Sequence, residues 1–138
     1  FNEIEKINSY FEKVLYELIN QTKMNNIVGL IGCSGSFESL AKILIQQKNT
    51  SNSLNNFSFN LNELYELHIK LLKSTYKERL KIKGLTSMRA DMIVISSIFI
   101  IFILKKLKLN KLQLSQFALK EGVLSILNQK NSWQKSLL

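Results

Sequence analysis

The sequence predicts an α/β fold that is rich in helix and contains a short, mostly parallel sheet. An apolar run at residues 27–32 and a segment of alternating polar and apolar residues at 111–115 are both typical of strands, and a helical pattern follows each of them. Because a long connection separates the two segments, we expect them to pair in parallel. Two or three strands make a poor sheet alone, so further structure is expected beside them.

Composition indicates a globular protein with a basic surface. The 138 residues fit a single domain, residues 1–138, and 46% of them are hydrophobic. The net charge of +9 favours polyanionic partners, and nucleic acid, an anionic membrane and polyphosphate all qualify. Solvated helix faces and helix C-termini account for most of the lysines without any ligand.

The first third of the chain reads as helix, strand and helix. Apolar residues recur at helical spacing from residue 1 to about 23, which is typical of an amphipathic helix on a core. The strand over 27–32 lacks polar alternation, so we expect it to be covered on both faces. A helix over 37–47 follows, and the Asn- and Ser-rich residues 48–56 form a loop.

The remaining elements are mainly helices. Asn60 and Glu63 fit a capping-box-like start of a helix, and Ser74 is the predicted cap of a short helix over 75–82 that Gly84 ends. A long helix is predicted over 87–107, opened by Thr86 or Ser87. The second strand, a helix over 116–128 and a frayed tail over 130–138 complete the chain.

The uncharged run at residues 92–104 raises the question of a membrane segment. A bilayer span needs about 20 apolar residues, and a shorter run is more typical of a buried core helix. Lys105 and Lys106 close the run. We therefore expect a core helix and no membrane partner.

The single cysteine and the single histidine do not favour a metal site. Cys33 has no second cysteine with which to form a disulfide or a zinc site, and His68 lies in a pattern typical of a packed side chain. Cys33 as a nucleophile is a weaker alternative, since no partner histidine is identifiable.

The glycine turn, residues 32–36, lies between a buried-type strand and a helix N-terminus. Backbone N–H groups at such a position can bind an anion, and Gly32 and Gly35 allow close approach and positive φ. Ser34 and Ser36 add hydroxyl donors, although either could instead cap the helix in a plain tight turn.

A second landmark is the segment at residues 84–93. Its predicted helix start places Arg89 and Asp91 in the first turn. Asp91 suits the helix dipole there, whereas a cation does not, so Arg89 needs an anion or a carboxylate partner. A third landmark is Gly122, a glycine inside a predicted helix, for which we expect close packing against a neighbouring element.

These landmarks together resemble the second half of the Ppx/GppA phosphatases, which belong to the actin-like ATPase superfamily. Residues 32–36 resemble that family's GTSGT-like turn, residues 84–91 its G-L-x-x-x-R-A-D element, and residues 120–122 its R-E-G-like helix. The sequence departs from the pattern at Cys33 and Ser36, at Phe37 and Glu38 after the turn, and at Lys120.

The resemblance implies a partial RNase H-like lobe that lacks its first β-meander and the preceding N-terminal lobe. The opening Phe1 is likewise expected to mark a fragment of a longer protein. By the resemblance, Gly32, Ser34, Gly35, Ser36 and Arg89 would contact phosphate or nucleotide. The catalytic Glu, the main phosphate loops and the Mg²⁺ sites of the intact parent would lie outside this chain, which would hold no catalytic residue and no metal.

The implied function is a segment of a cytoplasmic phosphoanhydride hydrolase acting on polyphosphate or guanosine pentaphosphate, inactive when isolated. A homodimer is left open, and no nucleic acid is expected as partner. The alternative is a non-enzymatic basic module that binds polyanions, which would need lysines and arginines clustered with aromatic residues on one face.

Overall fold

The structure is a computed structural model that describes residues 2–48, 54–55 and 57–135, with side chains as far as residue 128. Helices dominate these residues, and two short strands form the sheet. In chain order the elements are α1 (Asn2–Val14), α2 (Tyr16–Met24), β1 (Leu30–Cys33), α3 (Gly35–Lys48), α4 (Leu61–Lys73), α5 (Tyr76–Arg79), a 3-10 turn (Ser87–Arg89), α6 (Ile93–Lys106), β2 (Leu112–Ser115) and α7 (Leu119–Lys135).

The two strands pair in parallel, which confirms the predicted pairing. Leu30 lies opposite Leu112 and Cys33 opposite Ser115. Residues 57–59 bind the other edge of β2, where the Phe59 N–H donates to the Leu112 carbonyl at 2.9 Å. The strand β1 begins three residues later than the predicted 27–32, and each strand is followed by the helix that the sequence indicates.

Only one face of β1 is covered by the described residues, so the prediction of cover on both faces is wrong for this part of the chain. Alternate residues of a strand point to opposite faces. Gly32 is buried on the face against which α3 packs. Ile31, on the opposite face, remains 68% exposed.

The helix α6 is the centre of the hydrophobic core. Its Ile93, Ile100 and Leu104 are each at most 2% exposed, and the helix contacts α1, α3 and α4. The uncharged run at residues 92–104 is thus a core helix, as predicted. Within the described ranges, every helix is too short or too polar to cross a bilayer.

The first helical segment is divided rather than continuous. The predicted helix over 1–23 is interrupted at Leu15, where φ is −98° and ψ is 13°. Hydrogen bonds still cross the division, from the Leu15 N–H to the Phe11 carbonyl and from the Ile19 N–H to the Leu15 carbonyl, both at 2.9 Å. The division is therefore a local distortion of one helical path.

Two predicted caps have different outcomes. The Asn60 side chain accepts from the backbone N–H groups of Asn62 and Glu63, which confirms it as the cap of α4. The prediction that Ser74 caps the next helix is wrong by one residue, because Thr75 and Glu78 form a complete capping box. Ser74 instead donates its hydroxyl to the Leu71 carbonyl and ends α4.

Helix boundaries also differ after residue 85. The predicted helix over 87–107 begins only at Ile93, so Arg89 precedes α6 instead of lying in its first turn. At the other end, α7 covers residues 119–135 instead of 116–128. Most of the predicted loop at 48–56, and positions 136–138 of the predicted tail, lie outside the described residues.

Gly122 shows that α7 is not packed as expected. A Cβ atom built on this glycine would meet nothing within 4 Å. The prediction of close packing at Gly122 is therefore wrong among the described residues.

Candidate phosphate-binding site

The glycine turn connects β1 directly to α3. Strand β1 ends at Cys33 and α3 begins at Gly35, so Ser34 alone makes the connection. Ser34 has a left-handed φ of 70° and an exposed side chain. Positive φ thus falls on the serine, not on Gly32 or Gly35 as the sequence suggested. The two glycines are required for close approach instead.

Gly32 lies under an aromatic ring. A Cβ atom built on Gly32 would overlap the ring of Phe37, and this ring packs on the edge of the core. Gly32 therefore fixes the path of the strand beneath α3. The glycine contributes to the site by shaping the turn.

Gly35 lies under the guanidinium group of Arg89. A Cβ atom built on Gly35 would overlap Nη2 and Cζ of Arg89 and would lie 2.8 Å from its Nη1. Arg89 reaches this position from the end of the 3-10 turn and is partly buried. The structure thus brings together two predicted site residues that are far apart in the sequence.

The Arg89–Gly35 contact places a cation at the start of a helix. The N-terminus of α3 carries unpaired N–H groups and the positive end of the helix dipole. A guanidinium group beside the helix end raises the positive potential there further, because the potentials of two positive groups add. A bound phosphate could accept hydrogen bonds from the α3 N–H groups and from the guanidinium group. Its negative charge would offset the repulsion between these two positive groups.

Ser36 is held by α6. Its hydroxyl lies 2.9 Å from the Ser96 hydroxyl, and both are partly buried. The hydrogen bond ties the first turn of α3 to the first turn of α6. The structure therefore assigns the Ser36 side chain a partner within the protein and leaves the Ser34 hydroxyl exposed.

The departures at Phe37 and Glu38 have partners of their own. Phe37 covers Gly32, and the Glu38 carboxylate lies 3.8 Å from Lys42 Nζ. Glu38 thus faces along α3 towards a cation one turn later. Its charge is partly offset at that position.

His68 is a half-buried packed residue, as predicted. Its Nδ1 lies 2.9 Å from the Ser97 hydroxyl, and that hydroxyl donates to the Val94 carbonyl at 2.8 Å. Burial, together with the positive charge of Lys105, lowers the pKa of His68 below its usual value. The hydrogen bond to Ser97 joins α4 to α6, and the lowered pKa favours the neutral form of the imidazole.

The side chains that could bind a metal ion are dispersed in the part of the chain that the structure describes. Nowhere in the described ranges do three His, Cys, Asp or Glu side chains group closely enough to hold one. The exposed Cys33 and the weakly paired Glu38 are the side chains of these types closest in sequence to the turn.

Two further residues, which the sequence did not predict, hold parts of the candidate site. Ser96 holds Ser36, and Arg79 binds the carbonyl of Ala90, the residue after Arg89, at 2.7 Å. A serine within an apolar core helix needs a polar partner, which could have marked Ser96. The scarcity of arginine in a lysine-rich chain was the available signal for Arg79.

The fold of the chain is similar to that of two solved structures. An exopolyphosphatase from Cytophaga hutchinsonii is 33% identical and superposes with a TM-score of 0.85, over 91% of this chain and 41% of its own. A Ppx/GppA family member from Aquifex aeolicus is 19% identical, with a TM-score of 0.72, over 94% of this chain and 42% of its own, and shows the fold alone. The chain therefore spans less than half the length of either protein.

No curated protein matches the sequence. Residues 2–130 match the model of the Ppx/GppA phosphatase family. This match covers nearly the whole chain and includes the glycine turn, the 3-10 turn and both strands. The chain belongs to the Ppx/GppA phosphatase family.

Proposed function

We propose that the chain is a segment of a phosphoanhydride hydrolase acting on polyphosphate or guanosine pentaphosphate. In this proposal the glycine turn and Arg89 form one wall of a phosphate-binding cleft. The observation that carries the proposal is the position of the Arg89 guanidinium group over Gly35, at the start of α3. The similarity to an exopolyphosphatase supports the substrate class.

The two parts of the wall would bind phosphate in different ways. Backbone N–H groups at the start of α3 point outward and can donate to phosphate oxygens. Arg89 offers a planar, permanently charged donor that suits two oxygens of one phosphate. Ser34 can add its exposed hydroxyl, whereas Gly32 and the Ser36 side chain would shape the turn through Phe37 and Ser96.

The remainder of such an enzyme would lie outside this segment. Both structural relatives are more than twice as long as the part that matches. We propose that the first β-meander of an actin-like lobe extends the sheet beside β1, and that an N-terminal lobe supplies the catalytic carboxylate. A set of large apolar side chains on α7 is also exposed, namely Leu119, Val123, Leu124, Ile126 and Leu127.

The isolated chain is proposed to be inactive. A catalytic carboxylate and magnesium would orient the attacking water and stabilise the transferred phosphoryl group. In this proposal those groups belong to the remainder of the enzyme, so no chemical step is assigned to the described residues. Magnesium-dependent release of phosphate from tripolyphosphate by the purified chain would contradict this part of the proposal.

Binding in a salt series tests the proposed site against a general basic surface. Calorimetric titration would compare tripolyphosphate with a single-stranded DNA oligonucleotide at rising ionic strength. The proposal predicts that tripolyphosphate binding persists where DNA binding is lost, because close N–H and guanidinium donors are screened less than dispersed lysines. Equal and steeply salt-dependent binding of both would favour the alternative of a non-enzymatic polyanion-binding module.

A further inference from the structure

Arg79 makes two hydrogen bonds that join separate parts of the chain. Its Nε donates to the Ala90 carbonyl and its Nη1 donates to the Ser74 carbonyl, both at 2.7 Å. Arg79 ends the short helix α5, and Ser74 ends α4. One guanidinium group therefore bridges the end of α4 to the segment that precedes α6.

The acceptor at Ala90 is adjacent to Arg89. Ala90 is fully buried, and its N–H donates to the Ser87 carbonyl at 3.1 Å. The 3-10 turn is thus held by its own hydrogen bonds, by the burial of Ala90 and by Arg79. Since the Arg89 side chain begins one residue before this anchor, a shift of Ala90 moves the base of Arg89 as well.

We propose that Arg79 is a positioning residue that sets where the Arg89 guanidinium group lies on Gly35. Arg79 would act through the backbone of Ala90 and would not contact phosphate. Two carbonyl groups accept from it, and its charge has no carboxylate partner among the ion pairs of the described residues. The planar guanidinium group of arginine can donate to two carbonyl groups at once in a fixed geometry. A lysine at this position would supply only a point charge.

This inference rests on the proposed function only for the measurements of phosphate binding. The effect of Arg79 on Arg89 in the free chain is tested without them. The chain contains two arginines, so the Nε–Hε region of its NMR spectrum has two arginine signals, which the variant Arg89→Lys assigns. The first readout is the Arg89 signal of the free chain in Arg79→Lys. The matched control is Lys77→Gln, an exposed residue of the same helix.

We expect Arg79→Lys to shift the Arg89 signal and Lys77→Gln to leave it in place. We also expect Arg79→Lys to weaken tripolyphosphate binding about tenfold, which corresponds to the loss of about one charge-assisted hydrogen bond. Because Arg79 acts through Arg89, the double variant with Arg89→Lys should bind no more weakly than Arg89→Lys alone.

Titration of the unsubstituted chain gives a readout that does not depend on any variant folding. Tripolyphosphate should shift the Arg89 signal and leave the Arg79 signal nearly unchanged. A direct shift of Arg79, or an Arg89 signal that is the same in Arg79→Lys, would overturn the inference. If the unsubstituted chain does not bind tripolyphosphate, the proposed function fails, and the Arg89 signal of the free variant still decides the role of Arg79.

Discussion

The Arg89 guanidinium group fills the space that a side chain at Gly35 would occupy. Gly35 opens α3, and Arg89 ends the 3-10 turn that precedes α6. The contact explains why the turn needs a glycine at a position without positive φ. It also places the positive charge of Arg89 beside the positive end of the α3 dipole. The two together favour an anion at this point of the surface.

The variant Gly35→Ala should displace Arg89 without unfolding the protein. The atoms that would overlap belong to the far end of a flexible side chain, so they can move. We expect a change of less than about 1 kcal/mol in the free energy of unfolding. We also expect about a tenfold loss of tripolyphosphate affinity, as measured by calorimetry. An unchanged affinity would show that the Arg89 position is unimportant for binding.

The variant Gly122→Ala is the matched control for Gly35. A Cβ atom at Gly122 meets nothing within 4 Å. Alanine replaces glycine inside α7, so urea unfolding should show a gain of about 0.5 to 1 kcal/mol. Tripolyphosphate affinity should stay at its original value. A loss of stability would mean that Gly122 has a close neighbour after all.

Gly84→Ala should be costly. Gly84 has a φ of 87°, and a Cβ atom there would lie 2.7 Å from the Lys42 carbonyl oxygen. The neighbour is backbone and cannot turn aside as the Arg89 side chain can. The left-handed conformation alone costs alanine about 1 to 2 kcal/mol, so urea unfolding should show a loss of at least about 2 kcal/mol. A variant as stable as the original chain would contradict this assignment.

The Ser36–Ser96 hydrogen bond can be measured by a double-mutant cycle. Each serine is replaced by alanine alone and together, and the free energy of unfolding is compared across the four proteins. We expect a coupling of about 0.5 to 1.5 kcal/mol, because each single variant leaves one partly buried hydroxyl without its partner. Strictly additive losses would indicate that the two hydroxyl groups do not interact.

Acidification should weaken the fold through His68. Its pKa is lowered in the folded state by burial and by Lys105, so the unfolded chain binds the proton more tightly. The contribution of the neutral His68 to the free energy of unfolding is complete above the unfolded-state pKa of about 6.5. It is lost as pH falls from there through the folded-state pKa. The variant His68→Gln should lack this part of the pH dependence in urea unfolding, and identical pH profiles would refute the assignment.

Local patterns explain which parts of the fold were predictable. The order of strand, turn and helix at residues 27–47 depends on apolar runs and glycines that are neighbours in the sequence. The core helix at 92–104 follows from the length of one uncharged run. The parallel pairing follows from the long connection between the strands. Each of these features needs little knowledge of distant residues.

Features that depend on distant partners were not predictable. Ser36 and Ser96 are sixty positions apart, and nothing in either local pattern selects the other. The apolar run that contains Ile31 predicts a buried side chain, and the sequence alone does not show that Ile31 is exposed. The cap at Thr75 was missed because Ser74 offers the same hydroxyl one residue earlier. Only the position at which the helical backbone begins decides between the two residues.

Titration of Arg89→Gln with tripolyphosphate tests the central claim most directly. Lys83→Gln removes an equal charge from an exposed residue nearby and serves as the control. If Arg89 and the start of α3 bind phosphate together, the loss of affinity should be about tenfold or more for Arg89→Gln and less than about twofold for Lys83→Gln. Equal affinity of Arg89→Gln and the unsubstituted chain, or an equal loss in both variants, would contradict the claim.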